Sequence, residues 1–437
     1  MHADKTTLSD LSIFNSEEEL SVFHHLNFTQ TNEGREYLKM LLSKPLNDID
    51  AIIDMQQTLQ QLQTAMPQWP KTITNGIIMV LERFFDTPVN NYPSHPSAFS
   101  SMMYKFISGP DYSITKYTVN HFISFVKGMQ QVVDVLNEPQ SKQIQTSLSR
   151  IKLLLKKPII QQMLQREKMQ VLVPYEVLQF GNFIRFQFKQ DMFELISIYS
   201  RFDAYLSLAN ACTKYSFCFP QFKESVQPFI QATGLYHLLL NIPVSYKLML
   251  NKNENFLFLT GANMAGKSTF IKAVGVGVYL AHLGMGVPAE NMQLSLFDGL
   301  LSNIQVADNI IKGESYFFNE VQRIKSTIEK ISDGKKWLIL IDELFKGTNV
   351  QDAMKCSTTV IEGLHKMGNA LFILSTHLYE IGEGLQRFSN IQFRYFETNV
   401  TDEQLVFNYE LKEGISNDRL GYLILKKEGV VKMLENL

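Results

Sequence analysis

One stretch constrains this chain more than any other: Phe256-Leu-Phe-Leu-Thr-Gly-Ala-Asn-Met-Ala-Gly-Lys-Ser-Thr269. Phe256 to Leu259 is an apolar run that reads as a buried strand. The chain then turns at Gly261 and enters a helix at Gly266-Lys267-Ser268. Gly261 and Gly266 stand at the spacing of a P-loop, with Lys267 and Ser268 following. Consecutive backbone N–H groups must wrap a triphosphate, and any side chain larger than hydrogen at the two ends would block that wrap. The helix N-terminus adds its partial positive charge beneath the phosphates. Lys267 would reach the β- and γ-phosphates, and the Ser268 hydroxyl would hold Mg²⁺. The stretch predicts a site for ATP and Mg²⁺ formed by Gly261, Ala262, Asn263, Met264, Ala265, Gly266, Lys267, Ser268 and Thr269.

Four further stretches carry chemistry. Trp337-Leu-Ile-Leu-Ile-Asp342-Glu343 is an apolar strand ending in two carboxylates, the Walker B arrangement. Asp342 would hold Mg²⁺, directly or through water, and Glu343 would orient or deprotonate the attacking water. Ser375-Thr376-His377 follows the next apolar strand, where His377 could report nucleotide state or polarise the water. A structural histidine is the alternative. Gly347-Thr348-Asn349 with Asp352 resembles a loop that lies across a nucleotide-dependent dimer interface. Asp308 to Phe317 holds Gly313 before Ser315, which suggests a turn into a helix whose N-terminal amides and hydroxyl could bind the γ-phosphate of a partner subunit.

Composition bounds the rest. A length of 437 residues suggests two to four domains, at a prior of about 150 residues each. A formal net charge of −2 advertises no global basic surface for nucleic acid. Cys212, Cys218 and Cys356 have no metal-ligand spacing and fit a reducing compartment. The N-terminus opens no apolar signal core, and no apolar run approaches the roughly 18 to 20 residues of a membrane helix. These features predict a soluble cytoplasmic protein without membrane contact.

In chain order, residues 1 to about 20 are polar and then acidic. From Leu20 to about Pro45 apolar residues recur at helical spacing. A second helix starts at Asn47 or Asp48 and ends at Pro67 and Pro70. Residues 87 to 112 hold four prolines and read as loop with short helices. Helices follow over about 114–136 and 141–157, and Pro158 either kinks the second or opens another reaching about Lys168. The alternation of Ile184, Phe186 and Phe188 allows a strand, though helices joined by a short extended piece fit better. Helical periodicity is strong from Met192 to Cys212. After about Gly234 short apolar strands alternate with helices, which indicates a parallel sheet covered on both faces. Residues 391–396 and 405–411 read as a closing antiparallel hairpin around Thr401-Asp402-Glu403, and a last helix runs from about Leu420.

Taken together, these stretches resemble the MutS family of DNA mismatch-repair ATPases. Thr260 to Thr269 looks like that family's own P-loop, with its Asn-Met pair. Ala281-His-Leu-Gly-Met-Gly-Val-Pro-Ala289 resembles the segment after the P-loop helix, Asp308 to Phe317 the trans-acting signature, and Asp342 to Asn349 the Walker B and dimer loop. Leu26 to Leu38 with Lys44-Pro-Leu46 looks like the start of the family's helical core, or lever, and Asp203 to Pro220 like its return to the ATPase. The resemblance implies an α/β P-loop ATPase of ABC type over 234–437, preceded by a mostly α-helical lever over 21–233 and an N-terminal segment over 1–20. It implies a dimer, a homodimer in the simplest case, with catalytic roles for Glu343, His377 and a trans-acting Ser315.

The departures shape the expected function. The lever begins near residue 20, which leaves no room for the family's mismatch-binding and connector domains. Phe222-Lys-Glu224 and Phe318-Asn-Glu320 match the mismatch reader's Phe-x-Glu by chance only. Arg419-Leu420-Gly421 stands where the family has Ser-Tyr-Gly. Arg150, Lys152, Lys156, Lys157, Arg166 and Lys168 against Glu167 are a local cationic stretch, either a nucleic-acid contact or a solvated helix face. The expectation is an ATP-hydrolysing, ATP-gated dimeric clamp on branched or mismatched DNA, in repair or recombination. The alternatives are an RNA- or ribosome-associated factor and a protein scaffold without DNA binding.

Overall fold

A computed structural model describes residues 1–88, 92–93, 96–167, 171–304, 316–401, 404–416 and 430–435. In chain order these form β1 (His2–Ala3), α1 (Lys5–Asp10), α2 (Val22–Leu26), α3 (Asn32–Leu42), α4 (Ile49–Ala65), α5 (Asn75–Asp86), α6 (Ala98–Ile107), α7 (Gly109–Val135), α8 (Lys142–Leu155), α9 (Pro158–Leu164), α10 (Pro174–Asn182) and α11 (Lys189–Lys214). Then follow β2 (Gln221–Phe222), β3 (Ile230–Leu235), β4 (Tyr246–Leu250), β5 (Phe256–Gly261), α12 (Lys267–Ala281), β6 (Asn291–Leu294), β7 (Gly299–Asn303), α13 (Tyr316–Ile331), β8 (Trp337–Asp342), α14 (Val350–Leu364), β9 (Ala370–Ser375), α15 (Glu380–Leu385), β10 (Ile391–Thr401), β11 (Gln404–Glu413) and a helix at Val430–Glu435.

The chain divides into two compact units. One comprises Met1–His25, Lys44–Ile53 and Lys214–Leu437, and the other Leu26–Ser43 and Asp54–Thr213. This division differs from boundaries at residues 20 and 233. The N-terminal segment is no appendage, because β1 pairs in parallel with β7, His2 opposite Gly299. The segment from Lys214 onward already belongs to the α/β unit, because β2 and β3 both pair with β6.

In the α/β unit the described residues form a sheet of order β1-β7-β8-β9-β5-β10-β11 and a second sheet of order β2-β6-β3-β4. The first is parallel except for β10 against β11. The second sheet was not expected from the sequence. Central strands of a parallel sheet are covered on both faces, so they read as continuous apolar runs. Phe256, Phe258, Ile339, Ile341, Phe372 and Leu374 pack in one cluster and are at most 1% exposed. Each such side chain stabilises the fold by about 1.5–3 kcal/mol. Register places Leu259 opposite Ser375 and Asp342 opposite Ser375, so three strands end together. That shared carboxyl edge is where open α/β sheets bind ligands.

In the helical unit α7 buries Val119, Phe122, Val126, Met129 and Val133, the spacing of one helical face. Two details correct the sequence expectations, and the place of Pro158 decides between two readings left open. The helical run from Leu20 to Pro45 is broken between α2 and α3, and the Thr31 side chain caps the second piece by accepting from Gly34 N. Pro158 opens α9 rather than kinking α8. No strand or extended piece interrupts 175–188. Phe183–Gln187 is a π-helical turn, closed by Phe188 N donating to Phe183 O at 2.9 Å. Phe188 is thereby turned inward, with its ring stacked on Phe183 and edge-on to Phe122. Of the expected C-terminal helix, only Val430–Glu435 falls among the described residues. No helix among the described residues is long and apolar enough to cross a membrane, and no disulfide joins the three cysteines.

Candidate functional site

The apolar run β5 delivers the chain to Gly261, and α12 starts at Lys267. Between them the backbone takes conformations that suit glycine: φ is +139° at Gly261 and +110° at Gly266. A Cβ on Gly261 would lie 3.1 Å from the Phe396 carbonyl oxygen of the neighbouring strand. Met264 also adopts a positive φ, +69°, and its side chain is exposed. The loop is therefore a strained, outward-facing turn set on a rigid strand and helix.

Lys267 is buried, and its ammonium folds back on the turn, donating to Gly261 O at 2.7 Å and Ala262 O at 3.0 Å. Burial pushes its pKa down, while Glu343 and Asp342 pull it up. The neighbouring Ser268 hydroxyl donates to Asp342 Oδ2, and the Ser375 hydroxyl to Asp342 Oδ1. Among the described residues no group of three or more His, Cys, Asp or Glu side chains could hold a metal. A hydroxyl and a carboxylate converging from two elements nevertheless suit Mg²⁺, which prefers oxygen ligands and takes only one or two from protein beside phosphate and water.

Glu343 follows Asp342 with φ +63°. Its carboxylate lies 3.1 Å from Lys346 Nζ and 3.7 Å from His377 Nδ1. The His377 contact, and then Lys346, outweigh burial and pull its pKa down to about 2. It is an anion at neutral pH. His377 itself is exposed. Asn349 accepts from Asp352 N at 3.0 Å and caps α14. Ser315, with Asp308 and Gly313, lies outside the described residues, as does Arg419-Leu420-Gly421.

A pocket of about 450 Å³ opens on Asn263, Lys267, Ser268, Thr269 and Glu343, within the size range of small-ligand sites. Its far wall is apolar: Leu240, Ile242, Val244, Tyr246, Met264 and Tyr409. Ile242 is 91% exposed. Met264 apart, sequence reasoning missed this wall. Leu240, Ile242 and Val244 come from the loop before β4, Tyr246 opens β4, Met264 belongs to the phosphate turn, and Tyr409, at a positive φ of +55°, comes from β11. Only the exposed apolar Ile242 beside Pro243 gave a local hint.

The cationic stretch is largely committed elsewhere. Arg150 forms two hydrogen bonds with Glu194, at 2.5 and 2.7 Å. Lys157 pairs with Asp191, and Arg166, mostly buried, pairs with Glu176. Lys152 and Lys156 are exposed, and Lys168 lies outside the described residues. Reading the stretch from neighbours in sequence found only Glu167, because its counter-ions lie 10 to 44 positions away.

The family described as MutS domain V matches residues 257–434. The chain is similar to the DNA mismatch repair protein MutS of Geobacillus sp. (strain WCH70), 30% identical over 51% of this chain and 26% of the relative. It is 32% identical to the protein of the same name from Bacillus subtilis (strain 168), over 43% of this chain and 23% of the relative. A third such protein, from Chlorobaculum tepidum, is 27% identical over 52% of this chain and 26% of the relative. The aligned part thus spans about a quarter of the length of these relatives. Over residues 257–434 the chain thus carries the domain described as MutS domain V, and about half of it is similar to MutS proteins.

Proposed function

We propose that the chain is a Mg²⁺-dependent ATPase working as a nucleotide-switched dimer. The observation that carries this reading is the convergence of Lys267, Ser268 and Glu343 on one pocket at the carboxyl edge of the sheet, with the Asp342 carboxylate hydrogen-bonded to Ser268. Residues Gly261 to Thr269 are the phosphate loop, with Lys267 leaving the Gly261 and Ala262 carbonyls for the β- and γ-phosphates. Ser268 and Asp342 would hold Mg²⁺, which would supply charge neutralisation to the phosphates. Glu343, already ionised, orients the attacking water or takes its proton, and His377 stands beside it. The apolar wall from Leu240 to Tyr409 suits a purine base. Ser315 acts across the dimer interface, as the family resemblance implies, and ATP closes a clamp that hydrolysis reopens.

The relatives are DNA mismatch repair proteins, and a clamp on branched or mismatched DNA is the first reading of the downstream task. The ion pairs of Arg150, Lys157 and Arg166 favour a second, in which the helical unit grips protein instead. The deciding experiment is ATP turnover with Lys267→Ala and Glu343→Gln controls, with matched, mismatched and four-way-junction DNA and RNA at two salt concentrations. Glu343→Gln binds ATP yet turns over about 10²- to 10⁴-fold more slowly. Unchanged turnover in both variants overturns the ATPase. No response to any DNA overturns the clamp alone.

A further inference from the structure

The loop that carries Glu343 is bent in a way that needs support. Glu343 and Phe345 both adopt left-handed backbone, φ +63° and +59°. Side chains with a Cβ disfavour that conformation, and it persists where surrounding contacts over-determine it. Part of the support comes from β9, where Ser375 O accepts from Glu343 N at 2.9 Å. Part is apolar, with the Phe345 ring against Phe317 of α13 at 5.7 Å. The remainder is a carboxylate. Glu320, on α13, is 4% exposed. Its Oε1 accepts from Lys346 N at 3.1 Å and its Oε2 from Gly347 N at 3.2 Å. Both oxygens are thus spent on consecutive backbone amides of this one loop. Lys346 in turn directs its ammonium back to Glu343, 3.1 Å away.

We infer that Glu320 is a positioning residue for ATP hydrolysis: by gripping the Lys346 and Gly347 amides it fixes the 343–347 loop and so aims the Glu343 carboxylate. The inference rests on the ATPase reading above. A charged acceptor makes stronger hydrogen bonds than a neutral one, and a buried one tolerates no loss of partners. Glu320 also joins Glu343 to the first turns of α13, the helix that begins at Tyr316 immediately after Ser315. A displacement of α13 is therefore transmitted to Glu343 through two hydrogen bonds and one ring contact.

The role is distinguishable from simple anchoring of α13. Glu320→Ala and Glu320→Gln are compared with wild type in the full chain, by steady-state ATP turnover, binding of a fluorescent ATP analogue, and thermal melting. Glu320→Ala removes both acceptors. It lowers kcat about 10²-fold while KM and nucleotide affinity stay within about threefold, because misplacement of a reacting group costs rate rather than ground-state binding. Glu320→Gln keeps one acceptor and turns an amide against the other N–H, so its kcat falls about tenfold with melting close to wild type. Should Glu320→Ala fail to fold, the isosteric Glu320→Gln decides. Turnover by Glu320→Gln within about twofold of wild type overturns the inference. So does a loss of nucleotide binding in step with turnover and melting, the mark of a structural anchor. Absence of turnover in the wild-type chain is a separate result that overturns the ATPase reading and, with it, this one.

Discussion

Asp342 and Ser375 face each other at the ends of adjacent parallel strands, and the Ser375 hydroxyl donates to Asp342 Oδ1. The other oxygen of the same carboxylate takes the Ser268 hydroxyl. Asp342 is thus held from both sides before any cation arrives, with its side chain aimed at the phosphate turn.

Removing one side of that grip weakens metal binding. Ser375→Ala leaves Oδ1 of a nearly buried carboxylate without its donor, a loss of about 1.5–3 kcal/mol for a charge-assisted hydrogen bond. Mg²⁺-dependent ATP affinity falls about tenfold or more, while affinity measured without Mg²⁺ changes little. A Mg²⁺ titration of nucleotide binding checks this, and coincident curves for variant and wild type would refute it.

Acid should destabilise the α/β unit before its carboxylates protonate. His282 is fully buried, donating from Nδ1 to Val278 O at 2.9 Å and accepting at Nε2 from Phe297 N at 3.0 Å. Burial pushes its pKa down to about 3, with a small further push from the Met1 ammonium. His237 is lowered to about 4, first by burial and then by Lys272 and His25. Each imidazole is neutral in the fold but titrates near 6.5 when unfolded. Between the two values the unfolded chain binds more protons, so stability falls as pH drops below about 6.5. Each group contributes about 1.4 kcal/mol per pH unit once well inside that window. Denaturant midpoints at pH 7.5, 6 and 5 measure the slope, and His282→Gln reduces it by close to one proton.

In the helical unit a buried carboxylate holds the start of α3. Asp203 accepts from Gln30 N, Thr31 N and the Thr31 hydroxyl, at 2.6 to 3.1 Å. It pins the turn that starts α3. Asp203→Ala strands buried donors and costs about 3 kcal/mol. Gly34 must stay small there, because a Cβ would lie 2.2 Å from Asp203 Oδ2. Gly34→Ala destabilises comparably in urea unfolding, and a wild-type midpoint for either variant would contradict this account.

The paired cations set a limit on electrostatic DNA binding. Were all six residues free, the log–log salt slope would be about −5. With Arg150, Lys157 and Arg166 engaged, Lys152, Lys156 and Lys168 support a slope of only about −3. Binding isotherms from 50 to 200 mM salt measure it. A slope near −5 that collapses in Lys152→Ala/Lys156→Ala would show that the ion pairs open on contact.

What the sequence determined by itself was local. The strand, turn and helix from Phe256 to Thr269 and the strand ending at Asp342 were legible, because an apolar run, two glycines and a charged end each impose their conformation within a few residues. The covered parallel sheet was legible for the same reason, as central strands buried on both faces need uninterrupted apolar runs. Tertiary structure decided what depends on partners far along the chain. Asp10 accepts from the Ser302 hydroxyl and the Ile304 amide, nearly three hundred positions on, which binds the N-terminal segment to the α/β unit. Glu320 looked like part of a chance Phe-x-Glu match until burial placed its two oxygens on the Lys346 and Gly347 amides. The alternation at Ile184 to Phe188 suggested extended chain until a π-turn drove Phe188 into the core. In each case the deciding energy is desolvation or packing, and neither has a value until the fold has chosen the neighbours.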